Sequence, residues 1–173
     1  PSSAASDVYK RQAVQIVNLF VPKGVEVLST RGRNKKMDKI YKTTQELVDV
    51  KMPLAVLIDG GTASSSEIVA GALQDLDRAV IIGSRSYGKG LVQSTRPLPY
   101  NGMLKVTIAR YYIPSGRLIQ AIDYSHRNPD GSVARIPDSL THEFKTAHGR
   151  IVRDGGGIKP DVETSMERRG NIS

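Results

Sequence analysis

Two segments of this sequence hold residues whose types and spacing suit nucleophilic chemistry. The first is Gly61-Thr62-Ala63-Ser64-Ser65-Ser66-Glu67. It follows a short apolar run and opens an apolar-periodic segment, so a serine here stands at a helix amino end. The free N–H groups and the positive dipole end there favour developing negative charge. An acyl-transfer nucleophile needs that, because its tetrahedral intermediate carries an oxyanion and one well-placed donor is worth about 2.7–4 kcal/mol. A serine at this place also serves as an ordinary helix cap worth about 1 kcal/mol, and local chemistry does not choose among the three serines. The second segment is Ser86-Tyr87-Gly88-Lys89-Gly90. A lysine between two glycines is not on a helix face, and the glycines let backbone approach closely while the ammonium reaches inward. A lysine acting as general base must shed its proton. That takes a fall from about 10.4 to about 7–8, roughly 4 kcal/mol of differential interaction from burial and neighbours. The plain alternative is a lysine in a surface turn.

Other chemistries fit less well. Gly83, four residues and then Gly88-Lys89 approach the phosphate-binding loop pattern, which requires Ser or Thr next and a helix after it. Gly90 follows instead, and the residues beyond have strand character. His142-Glu143 begins like a zinc-protease helix, but Thr146 stands where the second histidine belongs, and His148 is out of register. His126 lies in the same irregular third of the chain. With no cysteine, serine with lysine as its base is the best nucleophile–base pair available.

The elements that must position these residues are legible from pattern. Residues 1–12 are small and polar without sustained periodicity, and read as a tail or foreign junction. Ala13, Val14, Ile16, Val17 and Phe20 follow helical spacing until Pro22 and Gly24. Residues 25–29 read as a strand, and 44–50 are ambiguous. Residues 54–58 form a continuous apolar run, the signature of a strand buried on both faces of a parallel sheet. Residues 64–76 read as a helix with Ile68, Val69, Ala72, Leu73 and Leu76 on one face, and Ser64 with Glu67 matches a capping box. Residues 78–82 make another strand, which completes a parallel βαβ unit. Two further strands flank a hairpin turn at Tyr100-Asn101-Gly102. Residues 123–157 read as a loop-rich excursion, with a last short strand near Val162.

Composition sets outer limits. The chain has 173 residues, 39% of them hydrophobic, enough for one aliphatic core, and no apolar run or leader pattern suits a membrane span or signal peptide. The absence of cysteine excludes disulfide scaffolds and Cys-ligated metals. Lys and Arg total 25 against 17 Asp and Glu, a net charge of +8. The densest basic stretch holds Arg31, Arg33, Lys35, Lys36, Lys39 and Lys42, and reads as an exposed loop or solvated edge. Only Tyr41 is interleaved, whereas nucleic-acid surfaces usually mix aromatics with the basic residues.

The stretch GTASSSEIVAGALQDLDRAVIIGSRSYGKGLVQS closely resembles the core of the carboxy-terminal processing peptidases, or tail-specific proteases, which are Ser/Lys serine proteases. In that family the nucleophile stands 25 residues before the lysine and 29 before a glutamine that orients it. Counted from Lys89, this spacing reaches Ser64 and Gln93. The resemblance thus implies Ser64 as nucleophile, Lys89 as base, Gln93 as its orienting partner and the Ser65 backbone N–H as part of the oxyanion hole. Asp75 matches an acidic position found in part of the family. It reads as structural, since an Asp near a helix carboxyl end needs a partner of its own. The segments around Ala13–Phe20 with Pro22-Lys23-Gly24, ARYYIPSGRLIQ and FKTAHGRIVRDGGGIKPDV are similar to other parts of the family core.

The resemblance implies an α/β, crotonase-like protease core with a central βαβ unit and a mostly parallel sheet over residues 13–163, followed by a tail at 164–173. It implies a serine endopeptidase acting near protein tails through an acyl-enzyme, with a protein or peptide substrate, no cofactor and no metal, in the periplasm or cell envelope. Residues 1–12 do not resemble the Gly-rich loop that supplies the other oxyanion donor, and no PDZ domain is present, so a fragment of a larger enzyme is expected. The alternatives are a non-catalytic, peptide-binding pseudo-enzyme or fragment and, last, a nucleic-acid-binding basic domain. The oligomeric state is left open.

Overall fold

A computed structural model describes residues 3–48 and 51–164. Helix α1 spans Ser3–Asn18, so it begins ten residues before the expected start at Ala13. Good helix formers between Ala4 and Gln12 extend it although only Lys10 among residues 8–12 is buried. Ala13, Val14, Val17 and the following Val21 form its inner face, while Ile16, expected inside, is 47% exposed. Residues 1–2 of the expected junction and 165–173 of the expected tail lie outside the described residues.

Of the two readings of the basic stretch, the solvated edge is the one that forms, as a hairpin at the rim of a sheet. Strand β1 (Glu26–Gly32) turns through a short 3-10 segment, Lys35–Met37, into β2 (Lys39–Lys42), paired antiparallel. Asp38 accepts the Gly32 N–H at 2.9 Å, and Arg31 lies 4.6 Å over the Tyr112 ring. The expected βαβ unit forms from β3 (Ala55–Ile58), α2 (Ser65–Asp75) and β4 (Val80–Gly83), with Ala55 to Ile58 registered against Val80 to Gly83 in parallel. Strands β5 (Leu91–Pro97) and β6 (Met103–Tyr112) pair antiparallel across the expected turn. Tyr100 and Asn101 take φ of 57° and 59°, the twist that a tight hairpin requires.

The expectation of a mostly parallel sheet is corrected. The larger sheet, ordered β2-β1-β6-β5, is antiparallel throughout. Among the described residues only three short strands run parallel, β3, β4 and β11 (Val162–Glu163). Hairpin connections such as 98–102 can join only antiparallel neighbours, and the parallel pairing is confined to strands linked by a crossover. The loop-rich excursion also resolves into two ribbons. One is β7 (Ile122–Arg127) with β8 (Val133–Arg135), and the other is β9 (Glu143–Lys145) with β10 (Ile151–Arg153).

The core lies where α1 and α2 pack together and against both sheets. Val17, Val27, Leu28, Ile68, Leu73, Ile81, Ile113, Ile119 and Ile158 are each at most 1% exposed. Full burial of one such side chain is worth about 1.5–3 kcal/mol. β3 is not buried on both faces as its apolar run suggests. Val56 and Ile58 face inward, but Leu57 is 78% exposed, and Val80 and Val162 lie open on the same face. Among the described residues, nothing covers that face of the parallel sheet.

Candidate active site

Ser64 sits where β3 has turned into α2, at the cap position of the helix, with φ 58° and ψ −115°. An ordinary N-cap residue is extended. A non-glycine residue at this φ is uncommon, and such strain gathers at functional sites. Ser65 and Ser66 are the first two helical residues, so the backbone singles out Ser64 among the three serines. The turn before it is held by Asp59, which accepts the N–H groups of Gly61 and Thr62 at 2.9 Å each. Ser65 opens α2, and its N–H belongs to the first-turn donors that have no intrahelical acceptor.

Lys89 stands on the loop between β4 and β5. Gly88, at φ 84°, packs so closely that a Cβ there would come within 2.3 Å of the Ala121 methyl. The loop is tied to residues 119–121 by the Ala121 N–H to the Gly88 carbonyl at 2.9 Å and the Gly90 N–H to Gln120 Oε1 at 2.7 Å. It is tied to the serine turn by the Tyr87 N–H, which donates to the Thr62 carbonyl at 2.9 Å. Beyond Lys89 the chain enters strand β5, not the helix a phosphate loop would need. The Lys89 side chain is exposed. It lines a cavity of about 340 Å³ with Ala63, Gln93, Lys105, Gln120 and Tyr124. Ser64 and Gln93 are both half-buried, and Gln93 lies on β5 four residues past the lysine.

The serine turn and the lysine loop meet at one carboxylate. Glu67 is fully buried in the first turn of α2. Its Oε2 accepts the Ser64 N–H at 2.8 Å and the Lys89 N–H at 2.9 Å. Its Oε1 accepts the Ser86 hydroxyl and the Gly88 N–H, both at 2.6 Å. A negative charge at a helix amino end with four donors is the well-satisfied arrangement a buried carboxylate needs. On the carbonyl side stands Tyr111 of β6, 2% exposed. Its hydroxyl donates to the Lys89 carbonyl and lies 3.3 Å from the Ser64 carbonyl. Burial, helped by the charge of Glu67, holds this phenol well above its ordinary pKa, so it remains a donor.

In the sequence Glu67 stands out only as a capping partner, and nothing there marks Tyr111. The signal for Glu67 was its place three residues after Ser64. For Tyr111 the pattern of β6 points the wrong way: alternation groups it with Lys105 and Thr107, and it turns inward because the register against β5 skips Ile108.

The remaining ionisable candidates lie elsewhere. Asp75 and Arg117 form a buried ion pair at 2.8 Å, with Arg117 Nη2 also donating to Gln74 Oε1 at 2.7 Å. Arg117 is the partner that an Asp at a helix carboxyl end needs. His142 and His148 are exposed beside Asp154 and Asp77, and neither lines the Lys89 cavity.

The sequence profile of Peptidase family S41 matches residues 9–133, well over half of the chain. The chain belongs to peptidase family S41. Among curated relatives it is 51% identical over 113 residues to a carboxy-terminal-processing protease of Bartonella bacilliformis, covering 64% of this chain and 25% of that protein. It is 38% identical over 112 residues to a chloroplastic C-terminal processing peptidase of Tetradesmus obliquus, covering 65% of this chain and 24% of that one. Among solved structures, a photosystem II D1 C-terminal processing protease superposes with a TM-score of 0.62 at 27% identity, over 90% of this chain and 31% of that one. A Bacteroides fragilis putative S41 protease shares the fold alone, with a TM-score of 0.58 at 12% identity over 90% of this chain and 34% of that one. The S41 chain described here thus spans about a quarter of the length of the curated relatives it matches.

Proposed function

We propose that this chain carries the catalytic dyad of a C-terminal processing serine endopeptidase of crotonase-like architecture. Ser64 is the nucleophile, Lys89 the general base, Gln93 the residue that orients the lysine, and the Ser65 N–H an oxyanion donor. The observation that carries the reading is the strained backbone of Ser64 at the α2 amino end, joined to Lys89 through one shared carboxylate oxygen.

The reaction runs in two halves. Lys89 takes the hydroxyl proton as Ser64 Oγ bonds to the peptide carbonyl carbon, and the oxyanion forms against the Ser65 N–H at the positive end of α2. Collapse breaks the C–N bond while Lys89 returns the proton to the departing amine. Water, giving its proton to Lys89, then attacks the ester carbonyl, and Ser64 leaves with that proton restored. The products are a new carboxylate and the released tail.

The relatives' names support a protein substrate cut near its carboxyl end, and their bacterial and chloroplast sources fit an envelope-type location. No helix among the described residues is long and apolar enough to cross a membrane. Nucleic acid is not the partner we favour: Arg31 is stacked on Tyr112, and Lys35 lies 3.9 Å from Asp38.

The test uses the full-length protein. A fluorophosphonate probe labels Ser64, and Ser64→Ala and Lys89→Ala each abolish both labelling and proteolysis. Proteolysis persisting in either variant refutes the dyad.

A further inference from the structure

We propose that Glu67 and Tyr111 are a pair of positioning residues that hold the backbones of Ser64 and Lys89 in catalytic register, one gripping their N–H groups and the other facing their carbonyls. The proposal rests on the Ser64/Lys89 assignment above and extends it to two side chains that take no part in the bond changes.

The geometry is specific. Ser64 and Lys89 are 25 residues apart and lie on different loops, so chain connectivity alone leaves their relative placement loose. Glu67 Oε2 takes one N–H from each, at 2.8 and 2.9 Å. The Tyr111 hydroxyl, arriving from β6, the neighbour of β5, donates to the Lys89 carbonyl and lies 3.3 Å from that of Ser64. The Lys89 segment is therefore held on both its donor and acceptor sides, and the Ser64 segment on its donor side with the same hydroxyl facing its carbonyl. Both clamping groups are buried, where solvent does not compete for these bonds. A reacting oxygen and its base must be aligned to a fraction of an ångström, and small misplacements carry large rate costs.

The carboxylate is itself anchored from the far end of the chain. Ser86 donates its hydroxyl to Glu67 Oε1 and accepts the Ile158 N–H at 2.7 Å, while the Ser86 N–H donates to the Ile158 carbonyl at 3.0 Å. Gly157, at φ 74°, permits this contact, since a Cβ there would lie 2.8 Å from both the Ser86 carbonyl and its hydroxyl. The segment GGGIKP thus reaches the dyad through Ser86 and Glu67.

The test compares turnover per titrated active site in the full-length protein. Active sites are counted by fluorophosphonate incorporation and turnover is measured on a peptide substrate. Tyr111→Phe keeps the ring and removes only the hydroxyl. It is expected to lower kcat per titrated site about tenfold, the factor a lost hydrogen bond of this kind is worth, with KM within twofold. Glu67→Gln puts an amide donor where two N–H donors already point, and is expected to lower kcat about a hundredfold or more. Tyr112→Phe alters the neighbouring ring, which stacks under Arg31, and serves as a control with unchanged kcat. A purely structural role for the clamp would lower the number of titratable sites and leave turnover per site intact; that result in Tyr111→Phe overturns the proposal. If Glu67→Gln does not fold, Tyr111→Phe decides alone. Proteolysis by Ser64→Ala or Lys89→Ala would instead strike the dyad assignment, a separate and recognisable outcome.

Discussion

Replacing Ser64, the proposed nucleophile, with glycine should make the protein more stable as well as inactive. Ser64 holds φ 58° and ψ −115°, a conformation in which its Cβ is strained. Backbone strain of this sort costs about 1–3 kcal/mol. Glycine removes it, but widens the unfolded ensemble at a cost of about 0.4–1 kcal/mol. The net gain for Ser64→Gly is about 1 kcal/mol, which for a chain of this size raises Tm by about 2–4 °C. Ser65→Gly is the internal comparison. Ser65 is already helical, so glycine there loses helix propensity and lowers stability by about 0.5 kcal/mol. Urea unfolding followed by circular dichroism gives both values, and fluorophosphonate labelling of the same variants gives the loss of function. If Ser64→Gly destabilises the chain as much as Ser65→Gly does, Ser64 stores no strain, and the backbone distinction between it and its neighbours fails.

Two further predictions concern the scaffold. Asp75→Ala strands the Arg117 guanidinium, whose side chain is 1% exposed, and should cost about 3–5 kcal/mol; Asp75→Ala with Arg117→Met should recover most of that loss in urea unfolding. The second is a pH dependence. Burial raises the Asp77 carboxyl, but the His148 N–H, the Thr146 hydroxyl and the Arg150 guanidinium outweigh it and hold the pKa below its ordinary 3.8. A depressed carboxyl stabilises the fold above its unfolded value and loses that contribution as pH falls through the folded value. Urea midpoints should therefore drop below about pH 4, and Asp77→Asn should be weaker at neutral pH with a flatter acid limb.

The parts of this protein that sequence made legible are those in which residue type maps directly onto environment. The α2 apolar face, the Tyr100-Asn101 turn and the βαβ unit all appear where pattern puts them, since periodicity and positive φ are local properties. Sheet direction was harder. The strands β5, β6 and β1 mix β-branched, apolar and polar residues in a way that does not say which way they run, and only the tight 98–102 turn betrays antiparallel pairing. The apolar run of β3 misled because it reports hydrophobicity rather than coverage, and Leu57 is exposed despite it. The 123–157 segment failed for another reason. Its strands are three to six residues long, too short for alternation to rise above the Pro, Gly and Asp of their turns.

The site divides along a similar line. Spacing within the resemblance chose Ser64, but the physical distinction among three adjacent serines is a backbone angle that no residue type announces. Glycine commonly marks positive φ, and a serine that adopts it is invisible until the fold is built. The clamp is hidden more deeply, because Glu67 and Tyr111 act on peptide groups, and every residue has those. A side chain that recognises another side chain leaves a complementary pair in the sequence; one that recognises backbone leaves only itself. Glu67 was half visible because its capping position is local to Ser64, whereas its second partner, the Lys89 N–H, is 22 residues away. Tyr111 lies 47 residues from Ser64 and on another sheet. The same logic says where substitutions will be tolerated. Residues 65 and 66 can change side chain freely so long as the helix starts on time, while position 67 must remain an anionic acceptor and position 111 a buried donor. A saturation library read by activity per titrated site should therefore show broad tolerance at 65 and 66, and at the buried positions 67 and 111 a loss of turnover even in the isosteric Glu67→Gln and Tyr111→Phe, which burial alone does not predict.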